Sequence, residues 1–432
     1  MGTKSLKLAI DGGSPLRQEP LPLEFPGMHY LDEEEVQGVA RVLRSRSLFR
    51  YYGIDLQREV EQFEAEFALF LGTKHALAVT SGTGALHTAM SALGLGPGQE
   101  VIIPAYLWVS VAAAIVNHGA IPVVADIDRN FCLDTHDLER KISQSTAGII
   151  LVHMSGAPGD AKKVERIARQ HGLWLVEDCA QCLGGTIGGQ NVGTFGDIGV
   201  FSFQMNKNMS SGEGGCLVTN DTRLHGRAMA AHDVGFARDA DGRLILDDPD
   251  LRVWGRGYRM DELRAAVLRV QLRKLPRILA HMRKSKYRIR RELEAYNEVE
   301  LRQLIDHSGD TGAFLISSYR DKTTAQRVNQ ALRAEGIVPG PVGLSNIVMT
   351  DWGLHLYYNI AGLFETSDVD RKSSALALKE KSQKVPKFSK GTCPVADDLF
   401  ERSIIMAIPS CLTEKDENEI IRSFEKVISA IR

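Results

Sequence analysis

The chain has 432 residues, enough for two or three domains, or for one large domain with a smaller one attached. Apolar residues make up 44% and charged residues 25%, so a sizeable buried core is expected. A net charge of −2 without a long basic run argues against nucleic acid or an anionic membrane as the main partner, and no apolar stretch reaches the ~18 residues of a membrane span.

In chain order, LDEEEVQGVARVLRS (from Leu31) and QREVEQFEAEFALFLG (ending at Gly72) carry apolar residues at helical spacing. HALAVT is a short apolar strand, and SGTGALHTAMSALG turns at once into a helix. EVIIP, IPVVADI, GIILVHM and LWLVED predict further strands, with helices over WVSVAAAIVNHG and KKVERIARQHG between them. Strands alternating with helices predict an α/β domain with a mostly parallel sheet covered on both faces. The acidic stretch near 219–250 is expected to be loop, and Pro276 to break or kink the long basic helix that follows. The expected division is an N-terminal arm over 1–30, a large α/β domain over 31–275 and a small α+β domain over 276–432.

MGTKSLKLAIDGG lacks a long apolar core, so no secretory signal is expected. Most of the six cysteines (Cys132, Cys179, Cys182, Cys216, Cys393 and Cys411) sit in apolar stretches, which favours a reducing cytoplasm. Cys179 and Cys182 form a lone C-x-x-C without a second pair at metal-ligand spacing, so no metal site is expected.

Three places carry potential chemistry. At SGTGA (Ser81–Ala85) a strand passes into a helix through small residues; such a helix N-terminus suits a phosphate, and equally suits a serine cap in a tight turn. Asp178 ends the strand LWLVED, at the sheet edge where ligands of α/β folds gather; it either meets a buried cation or caps the next helix, while Glu177 points the other way. Lys207 lies between the strand VFSF and the turn GEGG. A solvated loop lysine is the common case, but apolar and small neighbours suit a lysine that loses its proton readily and attacks carbonyls. A phosphate anchor, an acid for a ring nitrogen and a Schiff-base lysine are together what pyridoxal 5′-phosphate needs. Trp108 could stack on that ring or pack in the core.

Over nearly its whole length the chain resembles the sugar aminotransferases of the DegT–StrS family, fold-type I pyridoxal phosphate enzymes. The blocks that carry the resemblance run in order: FEAEFALFLGTKHALAVTSGTGALHTAMSALGLGPGQEVIIPAYLWVS, LVEDCAQCLGG, GTFGDIGVFSFQMNKNMSSGEGGCLVTND, GRGYRMDELRAAVLRVQL and CPVADDLFERSIIMAIP. The resemblance implies that Lys207 holds the cofactor's aldehyde and moves the proton, and that Asp178 meets the pyridine nitrogen. It implies that Trp108 stacks on the ring, that Gly82, Thr83 and Ser202 bind the phosphate, and that Gln181 lies near the phenolic oxygen. It further implies a homodimer with shared active sites. Glutamate or glutamine would be the amino donor, and the ketone of a keto-sugar, sugar acid or cyclitol the acceptor, in cell-surface glycan or natural-product biosynthesis. Relatives that dehydrate sugars replace the lysine with histidine, so Lys207 favours transamination. The lysine block also resembles that of a relative that makes an aromatic amine, which keeps a dehydratase or aromatic amino acid synthase as the alternative; a non-enzymatic regulatory relative would lack Lys207 or Asp178. One departure is Gly257, where the family often has an asparagine that reaches the neighbour's phosphate; Arg256 could supply that contact. Candidate substrate walls are SNIVMTDWGLHLYYNIAGLF (residues 345–364), Arg50 and His232.

Overall fold

The computed structural model describes residues 7–239, 242–340, 345–364 and 388–431. Helices α1 (Glu33–Ser45) and α2 (Glu59–Leu71) precede the first strand. Asp32 and Glu35 close a reciprocal capping box at the head of α1, and Gly72 ends α2 in the left-handed conformation that glycine adopts at least cost.

The large sheet contains β1 (His75–Val79), β2 (Glu100–Pro104), β3 (Ile121–Ala125), β4 (Thr146–Val152) and β5 (Trp174–Asp178). A small hairpin of β6 (Thr186–Ile187) and β7 (Gln190–Asn191) separates these from β8 (Ile198–Ser202) and β9 (Gly215–Thr219). The seven strands lie in the order β1-β9-β8-β5-β4-β2-β3, and β9 alone runs antiparallel to its neighbours. This is the expected mostly parallel α/β sheet. Helices α3 (Gly82–Leu93), α4 (Val109–Val116), α5 (Thr135–Lys141) and α6 (Ala161–Gln170) connect its strands. The strands are nearly continuous apolar runs because both faces are covered.

The stretch expected to be loop contains helix α7 (Thr222–His232). Asp221 caps it by accepting from the Arg223 and Leu224 N–H groups, and Ala228, Ala230 and Ala231 bury its inner face. The charged and glycine residues of its first turns hide that short apolar stripe. Nor does Pro276 end the long helix: α8 runs without interruption from Glu262 to Leu293. Leu275, Ile278, Leu279 and Met282 pack around the proline against the core beside the large sheet, and this burial outweighs the one lost hydrogen bond. Residues 275 and 276 therefore lie within a single helix, which goes on to bury Ile289 and Leu293 in the core of the second sheet.

That second sheet is antiparallel, with β10 (Glu300–Leu301), β11 (Phe314–Ser318), β12 (Ile347–Val348) and β13 (Ser403–Ala407) in the order β10-β11-β13-β12. Helix α9 (Lys322–Ala334) and the helix Glu414–Ile431 share its apolar core. The N-terminal arm runs over this unit: Leu8 and Leu21 enter its core, and Arg17 pairs with Asp416 at 2.7 Å and Glu419 at 2.6 Å. The arm then delivers Phe25 and Pro26 to the boundary between the two sheets.

Candidate active site

Alternation along VFSF explains the placement of the lysine. Phe201 and Phe203 turn into the core, edge-on to Phe67 and Phe63 at 5.2 and 5.5 Å between ring centres. Ser202, between them, lines a cavity of about 550 Å³ at the carboxyl edge of the parallel strands. The chain then turns, and Lys207 lines the same cavity. Its carbonyl accepts the Gly27 N–H at 3.2 Å, so the N-terminal arm holds the lysine loop.

Lys207 is half-buried, and its amine makes no hydrogen bond or ion pair to a described residue. Burial lowers its pKa from 10.5, against the charges of Asp178 and Glu213. Asp178 is 4% exposed, and its carboxylate accepts from the Ala180 N–H at 3.0 Å. Burial raises its pKa, opposed by that hydrogen bond and by Lys207 and His153.

Ser81 caps α3 by accepting the Gly84 N–H at 2.9 Å. A Cβ at Gly82 would stand 2.8 Å from Ser202 Cβ, and one at Gly215 would stand 2.3 Å from the Ser81 carbonyl carbon. Only bare backbone fits at this helix head, which leaves first-turn N–H groups open to an anion. Thr83 Oγ1 lies 2.8 Å from Ser110 Oγ beside it. Gln181 Oε1 accepts the Ser155 N–H at 3.1 Å, and its Nε2 lies 3.2 Å from His355 Nε2. Trp108, 43% exposed, has its ring 4.8 Å from His355. The second sheet contributes Ala313, Phe314, Ala407 and Ile408, so the cavity lies between the two sheets.

All seven residues singled out from the sequence (Gly82, Thr83, Trp108, Asp178, Gln181, Ser202 and Lys207) line this one cavity. The 345–364 segment reaches it through Trp352 and His355. Arg50 and His232 do not line it. Arg50 pairs with Glu64 at 2.9 Å, and His232, fully buried, packs against Arg50 and Tyr51. The GRGYRM segment does not line the cavity but adjoins the β1–α3 junction: the Tyr258 carbonyl accepts the Thr80 N–H at 2.9 Å, and Arg259 pairs with Asp233 at 2.8 Å. Arg256 lies 3.1 Å from His118 of its own chain. Gly257 has φ +72°, which glycine and asparagine both adopt cheaply, so glycine keeps the backbone path and lacks only the side-chain amide.

Sequence reading missed Ser110 and Ser155, and it named His355 only as part of the 345–364 segment. The HMSG loop after β4 could have been found from its place at the carboxyl edge of a parallel strand. Cys179 and Cys182 are buried, and burial pushes both thiols well above 9, which leaves them protonated and inert. His153, Glu177 and Cys179 lie close enough together for a metal, but backbone N–H groups occupy His153 Nδ1 and both Glu177 oxygens.

Among the described residues, an amine without a partner, a buried carboxylate with one donor and a glycine cradle at a helix head fit pyridoxal 5′-phosphate, so fold and site define a chain built for that cofactor. Residues 29–342 match the DegT/DnrJ/EryC1/StrS aminotransferase family, and the chain belongs to it. It is 38% identical over 277 residues to an L-glutamine:2-deoxy-scyllo-inosose aminotransferase of Streptoalloteichus tenebrarius, covering 62% of this chain and 63% of that protein. It is 38% identical over 221 residues to a GDP-perosamine synthase of Vibrio cholerae, covering 51% of this chain and 58% of that protein. These matches span less than two thirds of either relative. Two solved structures extend over nearly the whole chain. An aminotransferase from Psychrobacter cryohalolentis matches with TM-score 0.76 at 26% identity, over 96% of this chain and 100% of that one. A 3-amino-5-hydroxybenzoic acid synthase matches with TM-score 0.75 at 26% identity, over 96% and 98%.

Proposed function

We propose that this protein is a pyridoxal 5′-phosphate-dependent aminotransferase that moves an amino group from glutamate or glutamine to the ketone of a keto-sugar, sugar acid or cyclitol. The observation that carries the reading is the convergence of Lys207, Asp178 and the α3 head on one cavity. The relatives named for inosose and perosamine support a ring ketone as acceptor, and the first of them supports glutamine as donor. Both products would suit cell-surface glycan or natural-product biosynthesis.

When bound, the cofactor supplies an electron sink. The chain's own groups do the rest. Gly82, Thr83 and Ser202 would hold the phosphate at the helix head, Trp108 would stack on the ring, and Asp178 would keep the ring nitrogen protonated. Lys207 Nζ would hold the aldehyde and, once the donor's own amine has displaced it there, would move the proton at the donor's α-carbon.

A homodimer with shared sites belongs to this reading. Tyr52, Ile54, Val234 and Trp254 are 72, 93, 53 and 95% exposed. They sit on two segments joined by Arg238 over the Tyr51 ring and Arg259 over the Phe49 ring. Apolar surface of this kind favours a second copy as its cover. Five buried free thiols and one half-buried one support a reducing compartment such as the cytoplasm. No described helix is long and apolar enough to cross a membrane.

The test is a single-turnover assay. Protein loaded with pyridoxal 5′-phosphate should convert glutamine or glutamate to one equivalent of its 2-oxo acid, then aminate a cyclitol ketone or nucleotide-linked keto-sugar. Failure with both donors would overturn the reading. A second reading, an aromatic amino acid synthase, is supported by the likeness to the hydroxybenzoate synthase, and would show as a new aromatic absorbance from a cyclic keto acid without an amino donor.

A further inference from the structure

Gln181 sits in a directed chain of hydrogen bonds. The Ser155 backbone N–H can only donate, so the amide atom 3.1 Å from it is the oxygen. At the other end the Trp352 carbonyl can only accept, so His355 Nδ1, 2.8 Å from it, carries the ring proton. A neutral ring protonated there presents a lone pair at Nε2, and Gln181 Nε2 donates to it across 3.2 Å. The ring stays neutral because burial lowers its pKa to about 4; the Trp352 carbonyl opposes this shift and Lys207 adds to it. Among the described residues, the charged groups that line the cavity are Lys207, Asp178, Glu24 and Glu213. One N–H of Gln181 then remains without a partner among the described residues.

Both ends of the chain are held: Ser155 from behind the cavity lining, and His355 by Trp352 within it. Ser155 is fully buried with φ 51° and ψ 45°, a left-handed conformation uncommon outside glycine. Its hydroxyl lies 2.7 Å from Tyr106 Oη, and its carbonyl accepts from Arg302 at 3.2 Å. Strain of this sort persists only where the surroundings over-determine it. His355 stacks on Trp352 with centres 4.7 Å apart and planes at 24°.

Building on the cofactor reading above, we infer that His355 is a positioning residue whose Nε2 lone pair holds the Gln181 amide with its second N–H turned into the cavity, as donor to an anionic oxygen of the bound cofactor. A flipped amide would present its own oxygen to that anion and repel it. His355 acts through Gln181 and does not touch the reacting atoms.

The experiment is a pH titration of bound-cofactor absorbance in the wild type, His355→Phe, His355→Asn, Gln181→Ala and the double variant His355→Phe/Gln181→Ala. A donor to the anion favours the anion, so the wild type should titrate lowest. His355→Phe keeps an aromatic ring against Trp352 and removes the acceptor; its midpoint should rise by ~1 unit, a tenfold change that matches one hydrogen bond to a charged group. Gln181→Ala should rise equally and the double variant no further. His355→Asn, whose carbonyl also accepts, should return towards the wild type. His355→Ala carries the same expectation should the phenylalanine variant not fold. A wild-type midpoint in the variants lacking the acceptor, or shifts that add in the double variant, would overturn the inference while leaving the aminotransferase reading intact. A wild type that takes up no cofactor would overturn both, and is told apart by the absence of a cofactor band in every sample.

Discussion

Glu177 and Asp178 are consecutive carboxylates on β5, and they meet opposite fates. Glu177 turns to one face of the sheet and accepts from four donors: the Phe195, Gly196 and Gly193 N–H groups at 2.7, 2.8 and 2.9 Å, and His153 Nε2 at 3.0 Å. Asp178 turns to the other face and accepts only the Ala180 N–H among described residues. One carboxylate is consumed in closing a loop, and the other is left for a ligand. Strand alternation alone separates the two roles.

Asp178 should therefore be costly to the apoprotein. Its folded pKa is raised above the ordinary 3.8, so its contribution to stability is present below that value and is lost as pH rises through the folded one. At neutral pH, apo Asp178→Asn should melt above the apo wild type, with the gap closing in acid, while transamination falls by about 10²-fold or more for want of the charge. Thermal melts across pH, beside single-turnover rates, check both halves. A variant that melts lower at neutral pH would contradict the assignment.

Glu177 makes the opposite forecast. In Glu177→Gln the new NH₂ must face donors that the carboxylate accepted from, which leaves buried N–H groups unpaired. Urea unfolding should show a loss of about 3 kcal/mol, far more than for Asp178→Asn. A loss below about 1 kcal/mol would show that the 193–196 loop does not depend on this carboxylate.

Lys207 needs its free amine to capture an aldehyde. Its pKa lies below 10.5 in the folded chain, so the fold disfavours the cation; the associated stability is present above the free value and lost as pH falls through the folded one. The rate at which the apoprotein takes up pyridoxal 5′-phosphate should rise with pH and level off at a midpoint below 10.5. A midpoint at or above that value would place the amine in bulk-like solvent.

Self-association should run through the exposed apolar loops. Trp254→Glu together with Ile54→Glu should weaken association by about 2 kcal/mol or more, read by sedimentation over a concentration series. If sites are shared, activity should fall with the dimer fraction. A variant that associates like the wild type would move the interface elsewhere.

The strand and helix pattern around the seven-stranded sheet was legible because the signals are local: apolar runs, capping residues and small residues at the β1–α3 junction. Lys207, Asp178 and the SGTGA turn could be read for the same reason. Arg50 could not, because its partner Glu64 lies across a turn of chain that only the fold closes. Helix α7 was hidden by the charges of its first turns, although Asp221 was a readable cap. The bond between Gln181 and His355 joins residues 174 positions apart, and no local pattern announces it.

The most direct measurement is reductive trapping. Protein loaded with pyridoxal 5′-phosphate is treated with borohydride, digested and mapped by mass spectrometry, beside Lys207→Ala. The account predicts one phosphopyridoxyl group, on Lys207, and none on the variant. A label on another lysine, or an unlabelled wild type, would contradict it.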